Sequence, residues 1–359
     1  MRVAVLGGGH GSYAAAADLT LAGHHVTLWR RNGAALDALR AERRIAVRDA
    51  HGEHVAILTA VSDDLAGAVA SAELIVAPVP AFGQPELAAA LAPHLRPGQV
   101  VLLPPGSFGS YLFARAARAT PGLAFAESGT LPYLTRKASE TEIKITQRAT
   151  RLPTGVFPAR LTPSASEVIR RAYPSIEPVR DALDAALLNA GPIIHTPLII
   201  MNAAPLEHFP AWDIHNEGTQ PTVRHVTDAL DAERIAIREA LGYAAPHFPL
   251  IDYYRTDGEE WMYGHDAKSR LVESGNWREP IDVRTHRYVR EDIACGLAFL
   301  VSVARYTGVA APVANGLLAI ASAMLGEDLA ASGARTLEAL ELAGTSRTQL
   351  TALLEDGFS

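Results

Sequence analysis

Cysteine is nearly absent: Cys295 is the only one in 359 residues. That excludes a disulfide framework within the chain and fits a reducing compartment, so the cytoplasm is the expected location. Cys295 sits in the apolar run IACGLAFLVSVA and reads as a small buried apolar residue rather than a reactive thiol. Excess positive charge is also lacking. The formal net charge is −7, which argues against nucleic acid or an anionic membrane surface as a partner. No uninterrupted apolar run reaches spanning length, and the sequence opens directly on a strand, so no signal peptide is expected. The 13 histidines are scattered, with no HExxH and no paired cysteines, so no metal site is expected. Repeats and low-complexity linkers are missing as well. Aromatic residues are few at 6%, with 48% hydrophobic and 20% charged residues, an ordinary balance for a soluble α/β chain long enough for two domains.

What the chain does have comes early. Residues 3–12 read VAVLGGGHGS. Small apolar residues run into Gly7, Gly8 and Gly9, and Gly11 and Ser12 then lead into a helix-forming run. A strand, a glycine turn and a helix make a phosphate cradle: the glycines let the backbone approach a diphosphate, and the helix N-terminus presents N–H groups to it. Gly7, Gly9, His10, Gly11 and Ser12 are therefore expected to bind a dinucleotide. Ser12 stands where the fingerprint has a third glycine, and its small size should still permit close helix–strand packing.

The second strand, His25–Trp29, ends in Trp29, Arg30, Arg31 and Asn32, with no adjacent carboxylate to accept from ribose hydroxyls. Guanidinium matches phosphate geometry with paired donors. Arg30 and Arg31 thus point to a 2′-phosphate and to NADP(H) over NAD(H), NAD(H) remaining possible. A solvated strand end is the plainer alternative.

Strands at Arg2–Leu6, His25–Trp29, 74–78, Val100–Leu103 and 123–127 alternate with helical stretches at 33–42, 86–95 and 110–119. This predicts a Rossmann-type doubly wound parallel sheet. Extra strands are expected at 142–146 and 155–158, and a helix at 163–172. From about residue 182 the chain reads as helical, with the clearest period at 222–242 and further helices at 290–307 and 314–325. The fold class is α/β: a dinucleotide-binding domain over 1–185, then an all-helical domain over 186–359. A cleft between them is the default active site. The last helices are apolar enough to make a homodimer plausible.

Several segments resemble one family. They are Val5–Gly11 (VLGGGHG), Pro78–Phe82 (PVPAF), 127–136 (ESGTLPYLTR), 231–237 (DAERIAI) and 286–293 (HRYVREDI). In their order and rough spacing they resemble the opine dehydrogenases from end to end. RYxxEDI is the most specific, because charged residues adjoin an apolar helix without a packing reason. The resemblance implies a nucleotide-binding domain followed by a helical domain of the 6-phosphogluconate dehydrogenase C-terminal type. It implies an enzyme that condenses an amino acid amine with a 2-keto acid and reduces the imine with NAD(P)H. It also implies a His–Asp pair as the proton relay.

Asp292 matches the family's aspartate; the plainer alternative is that Glu291 and Asp292 cap a helix. The family's histidine lies in a His-Pro pair shortly after an asparagine, and no such pair occurs here. His208, after Asn202, is the nearest match. His215 is a second candidate, and His195, which aligns with a family histidine outside the pair, is a third. The resemblance carries a substrate-carboxylate role onto Arg287, and Arg136 is a second clamp of the same kind. Thr130 and Glu127 lie at a strand end near the expected nicotinamide position, and Pro80, Ala81 and Phe82 are expected to line it. Tyr253, Tyr254, Trp261 and Tyr263 form either a side-chain pocket or core packing. Two alternatives stay open. One is a ketopantoate-type or other 2-keto acid reductase, disfavoured because Lys268 is the only lysine after residue 182. The other is a non-catalytic NADP-binding protein.

Overall fold

The structure, a computed structural model, describes residues 1–358. The chain forms two units. The first comprises Met1–Val79, Gly83–Ala186 and Ala352–Ser359, and the second Pro80–Phe82 and Leu187–Thr351. A simple division into 1–185 and 186–359 therefore needs two amendments: residues 80–82 belong to the helical unit, and the C-terminus returns to the first.

The first unit carries β1 (Arg2–Leu6), β2 (His25–Trp29), β3 (Arg44–Asp49), β4 (Gly52–Ile57), β5 (Ala60–Ser62) and β6 (Leu74–Val76). It continues with β7 (Val100–Leu103), β8 (Ala124–Ser128), β9 (Tyr133–Ser139), β10 (Glu142–Arg148), β11 (Leu152–Phe157) and β12 (Ile176–Pro178). Eight of these form one sheet in the order β12-β11-β8-β7-β6-β1-β2-β5. The run β5-β2-β1-β6-β7-β8 is parallel, and β11 joins antiparallel to β8. This is the doubly wound order, with its reversal between β1 and β6. Strands β1 and β7 are almost wholly apolar and buried on both faces, as a covered parallel sheet requires.

A second sheet, β4-β3-β10-β9, stands beside it; of its strands only β10 matches an expected one, at 142–146. Ile45, Val47, Ile143 and Ile145 from it share a buried core with Tyr13–Ala17 of the helix His10–Leu21 and with Val3, Val5, Val26 and Leu28 of the large sheet. Arg148 binds this arrangement by pairing with both Asp18 (2.8 Å) and Asp49 (2.7 Å). At the end of the chain, Phe358 packs its ring against Tyr111 and Phe157, at 5.5 Å from each.

The second unit is helical; its one strand-like feature among the described residues is the isolated bridge Trp212–Glu279. Its longest helix, Pro221–Ala240, starts on a proline and stops at Gly242, which takes φ +80°. The DAER segment on it is a structural knot. Buried Arg234 donates to Asp231 (2.6 Å) and to the carbonyls of Leu187 (3.2 Å) and His247 (2.8 Å). Helix Tyr288–Leu297 has the wider π-helical winding, which recurs at functional sites, and runs into Ala298–Thr307. Residues 182–201 are apolar and long enough to span a membrane by length and composition, but 78% of that stretch is buried inside the fold.

Candidate active site

Two constellations stand out, one in each unit. In the first, β1 ends at Leu6 and the turn Gly7–Gly9 leads into helix His10–Leu21. Gly7 takes φ +118°, which a side chain would resist, and its N–H donates to Trp29 O (2.8 Å), tying the turn to the end of β2. A Cβ on Gly11 would press on Leu131 at 2.9 Å and on Pro78 at 3.3 Å, so glycine gives the closest packing there. A Cβ on Gly9 would meet nothing within 4 Å: the helix N-terminus opens on empty space that a side chain would fill. No acidic residue occupies the first helical turn. This cradle fits a dinucleotide diphosphate. Ser12 is fully buried and donates to Leu6 O (3.3 Å), so it ties strand to helix where a third glycine would only permit their approach. The His10 ring serves the second sheet: its Nδ1 accepts from Lys137 N–H (2.7 Å).

The end of β2 differs from its sequence reading, because carboxylates do reach both arginines. Arg31 is exposed and pairs with Glu86. Arg30 lies across the glycine turn, where a Cβ on Gly8 would fall 2.5 Å from its Nε. It pairs with Glu140 (3.0 Å), delivered by the tip of the β9–β10 hairpin.

The second constellation is built on two helices, Gly191–Met201 and Tyr288–Leu297. Glycine lets them approach. A Cβ on Gly191 would stand 2.3 Å from Asp292 Oδ1, and one on Gly296 would stand 2.2 Å from Pro192. At this separation His195 Nδ1 and Asp292 Oδ2 are 2.7 Å apart. The structure thus brings His195, not His208, to Asp292. His208 is exposed at the end of helix Ala203–His208, its ring against Phe209 at 4.8 Å. The His195 ring stacks on buried Tyr288 with centroids 3.8 Å apart, and His215 meets it edge-on at 5.5 Å. Burial pushes the Asp292 carboxyl up to about 7, against the opposing charge of Arg287. Asp292 and Glu291 lie within the helix rather than capping it.

Glu291 is the residue that sequence reasoning left without a task. Its Oε1 accepts from Ala81 N–H (3.2 Å), while Arg335 donates to Ala81 O (2.8 Å). The segment Pro80–Phe82 is thereby held through both backbone polar groups of Ala81. Burial pushes Glu291 up to about 7. Arg287 stands 4.0 Å from Glu291 with its side chain nearly half exposed, open enough to meet a ligand. Arg136 on β9 and Thr130 after β8 belong to the first unit, not to that of Arg287. Buried Glu127 accepts from Phe108 N–H (3.1 Å) and Ser110 N–H (3.2 Å), fixing the loop before helix Gly109–Ala116. Trp261 and Tyr253 are core residues, with Trp261 donating to Phe248 O (3.1 Å). Cys295 is buried, and burial pushes its thiol up to about 11. Among the described residues no group of three or more His, Cys, Asp or Glu could hold a metal.

Comparison with known proteins bears on both halves. Residues 178–325 match the family model for the NAD/NADP octopine/nopaline dehydrogenase α-helical domain. Residues 2–104 match that for the NAD-dependent glycerol-3-phosphate dehydrogenase N-terminus. An opine dehydrogenase of Arthrobacter sp. (strain 1C) is 27% identical over 360 residues, covering 98% of each chain. Among solved structures, an octopine dehydrogenase with NADH and L-arginine superposes with a TM-score of 0.73 at 18% identity, over 100% of this chain and 99% of that one. An NADP+-bound yersinopine dehydrogenase gives 0.68 at 16% identity, over 99% and 98%. A ketopantoate reductase from Ralstonia eutropha gives 0.60 at 17% identity, over 91% and 99%.

Proposed function

The chain belongs to the opine dehydrogenase family, and on that premise we propose that it joins the amine of an amino acid to a 2-keto acid by reducing the imine between them. It is an NAD(P)-dependent oxidoreductase acting on a CH–NH group. The observation that carries the reading is the His195–Asp292 pair, 2.7 Å apart on two glycine-packed helices.

When bound, a reduced pyridine dinucleotide supplies the hydride. Gly7, Gly9 and Gly11 would hold its diphosphate at the helix N-terminus, which Ser12 ties to β1, with Arg30 and Arg31 toward its adenosine end. Arg30 supports a preference for NADP(H), with NAD(H) also accepted. His195 is the proton relay. Asp292 holds its Nδ1, so exchange with substrate falls to Nε2. Condensation expels the carbonyl oxygen as water, and the imidazole carries the proton that this needs. Asp292 stabilises the imidazolium between transfers. Arg287 is the clamp for a substrate carboxylate. Support for an amino acid and a keto acid as substrates comes from relatives solved with L-arginine and with pyruvate. The cytoplasm suits the single buried thiol.

NADPH oxidation is the test. It should require an amino acid and a 2-keto acid together, such as pyruvate, glyoxylate or 2-oxoglutarate. Oxidation with the keto acid alone would move the chain to the simple reductases.

A further inference from the structure

Dinucleotide folds set cofactor choice at the end of the second strand. A carboxylate there accepts from ribose hydroxyls, and a cation there receives a 2′-phosphate. This chain supplies both, from elements far apart in sequence. Arg30, at the end of β2, lies across Gly8. Glu140 comes from the β9–β10 hairpin and gathers three donors: Arg30 (3.0 Å), Lys137 (2.9 Å) and the Tyr13 hydroxyl (2.5 Å). Lys137 also donates to Gly8 O (3.3 Å) and lies over the Tyr13 ring at 4.5 Å. The whole cluster therefore sits on the glycine turn. Burial favours the neutral Glu140 acid, but bonds from Tyr13 and Lys137 and the neighbouring cations hold its carboxyl below the ordinary value, so it is ionised at neutral pH.

We propose that Glu140 is the residue that discriminates between NADP(H) and NAD(H): it holds Arg30 and Lys137 and competes with a 2′-phosphate for them. The inference rests on the reading that the glycine turn binds a pyridine dinucleotide. Two cations and one carboxylate leave one net positive charge on the turn. A 2′-phosphate meets cations already partnered and an anion that repels it. A 2′-hydroxyl meets an acceptor. The carboxylate thus narrows the NADPH preference that Arg30 alone would give. Glu140 acts in place of the acid missing from the end of β2, and acts partly through Arg30.

The test is a fluorescence titration of NADPH and NADH against the parent, Glu140→Gln and Tyr13→Phe, repeated with adenosine 2′,5′-bisphosphate and 5′-AMP. Glu140→Gln should raise Kd(NADH)/Kd(NADPH) by about tenfold, mostly through tighter NADPH. The bisphosphate should gain over 5′-AMP in parallel. Tyr13→Phe, which keeps the carboxylate but removes one of its donors, should raise the ratio less, by about threefold. This milder variant keeps the idea testable if Glu140→Gln does not fold. A ratio unchanged in folded variants, or moved toward NADH, overturns the role of Glu140. A parent that binds neither dinucleotide overturns the functional reading beneath it.

Discussion

Replacing Asp292 with asparagine should move activity and stability in opposite directions. The carboxylate is buried and lies 2.7 Å from His195 Nδ1. Asparagine keeps the shape and removes the charge that fixes the ring and supports its protonated form. Turnover should fall by about 10²–10⁴-fold. Stability should rise above neutral pH. The Asp292 carboxyl titrates near 7 when folded, against an ordinary value of 3.8. Between about pH 4 and 7 the folded state keeps a proton that the unfolded chain has released. Stability therefore declines as pH rises through this window, and the cost, a few kcal/mol, is fully present above 7. The variant escapes it and should melt roughly 5 °C higher at pH 8, with little difference at pH 4. Scanning calorimetry at the two pH values, with initial rates beside it, is the assay. A variant that melts lower at pH 8, or turns over like the parent, refutes the description of Asp292 as a buried, charged orienting group.

His195→Ala should lose at least about a hundredfold in kcat, while His208→Ala, on an exposed ring, should stay within about twofold; equal losses in steady-state rates would break the pairing argument. Gly191→Ala puts a methyl 2.3 Å from Asp292 Oδ1, and the overpacking should cost about 1–3 kcal/mol in urea unfolding together with at least tenfold of rate; an unperturbed variant would show that the helices need no glycine there. Arg335→Met removes the donor to Ala81 O and should lower stability by about 1–3 kcal/mol, read as a lower urea midpoint; an unchanged midpoint would show that segment 80–82 needs no clamp.

Local geometry was readable from the sequence and long-range partnership was not. The glycine turn announces itself because a positive φ at Gly7 and close packing at Gly11 favour glycine at both positions. Strands β1, β6 and β7 follow from continuous apolar runs buried on both faces, whereas β2 alternates buried with more exposed residues. Strands β3 and β4 escaped because Arg44–Asp49 and Gly52–Ile57 mix polar and small residues, and their burial depends on helix His10–Leu21. Glu140 meets Arg30 across 110 residues, and His195 meets Asp292 across 97. A dipeptide motif points to the wrong histidine, His208. The better clue is steric: Gly191 opens a largely apolar helix and Gly296 sits on the helix that carries Asp292, and the two mark the crossing that holds the pair. The DAER segment, by contrast, fits the family because it builds the core around Arg234.

Both ends of the polypeptide belong to the nucleotide-binding unit, since Ala352–Ser359 rejoins it after Leu187–Thr351 has been completed. In the covalent sense the helical unit is an insertion, not an appendage. Severing the chain after Ala186 would strip the sheet unit of Phe358 and leave Tyr111 and Phe157 facing water. The pieces are therefore poor modules to trade by end-to-end fusion, and a tag appended after Ser359 would load the aromatic plug that Phe358 makes with Tyr111 and Phe157.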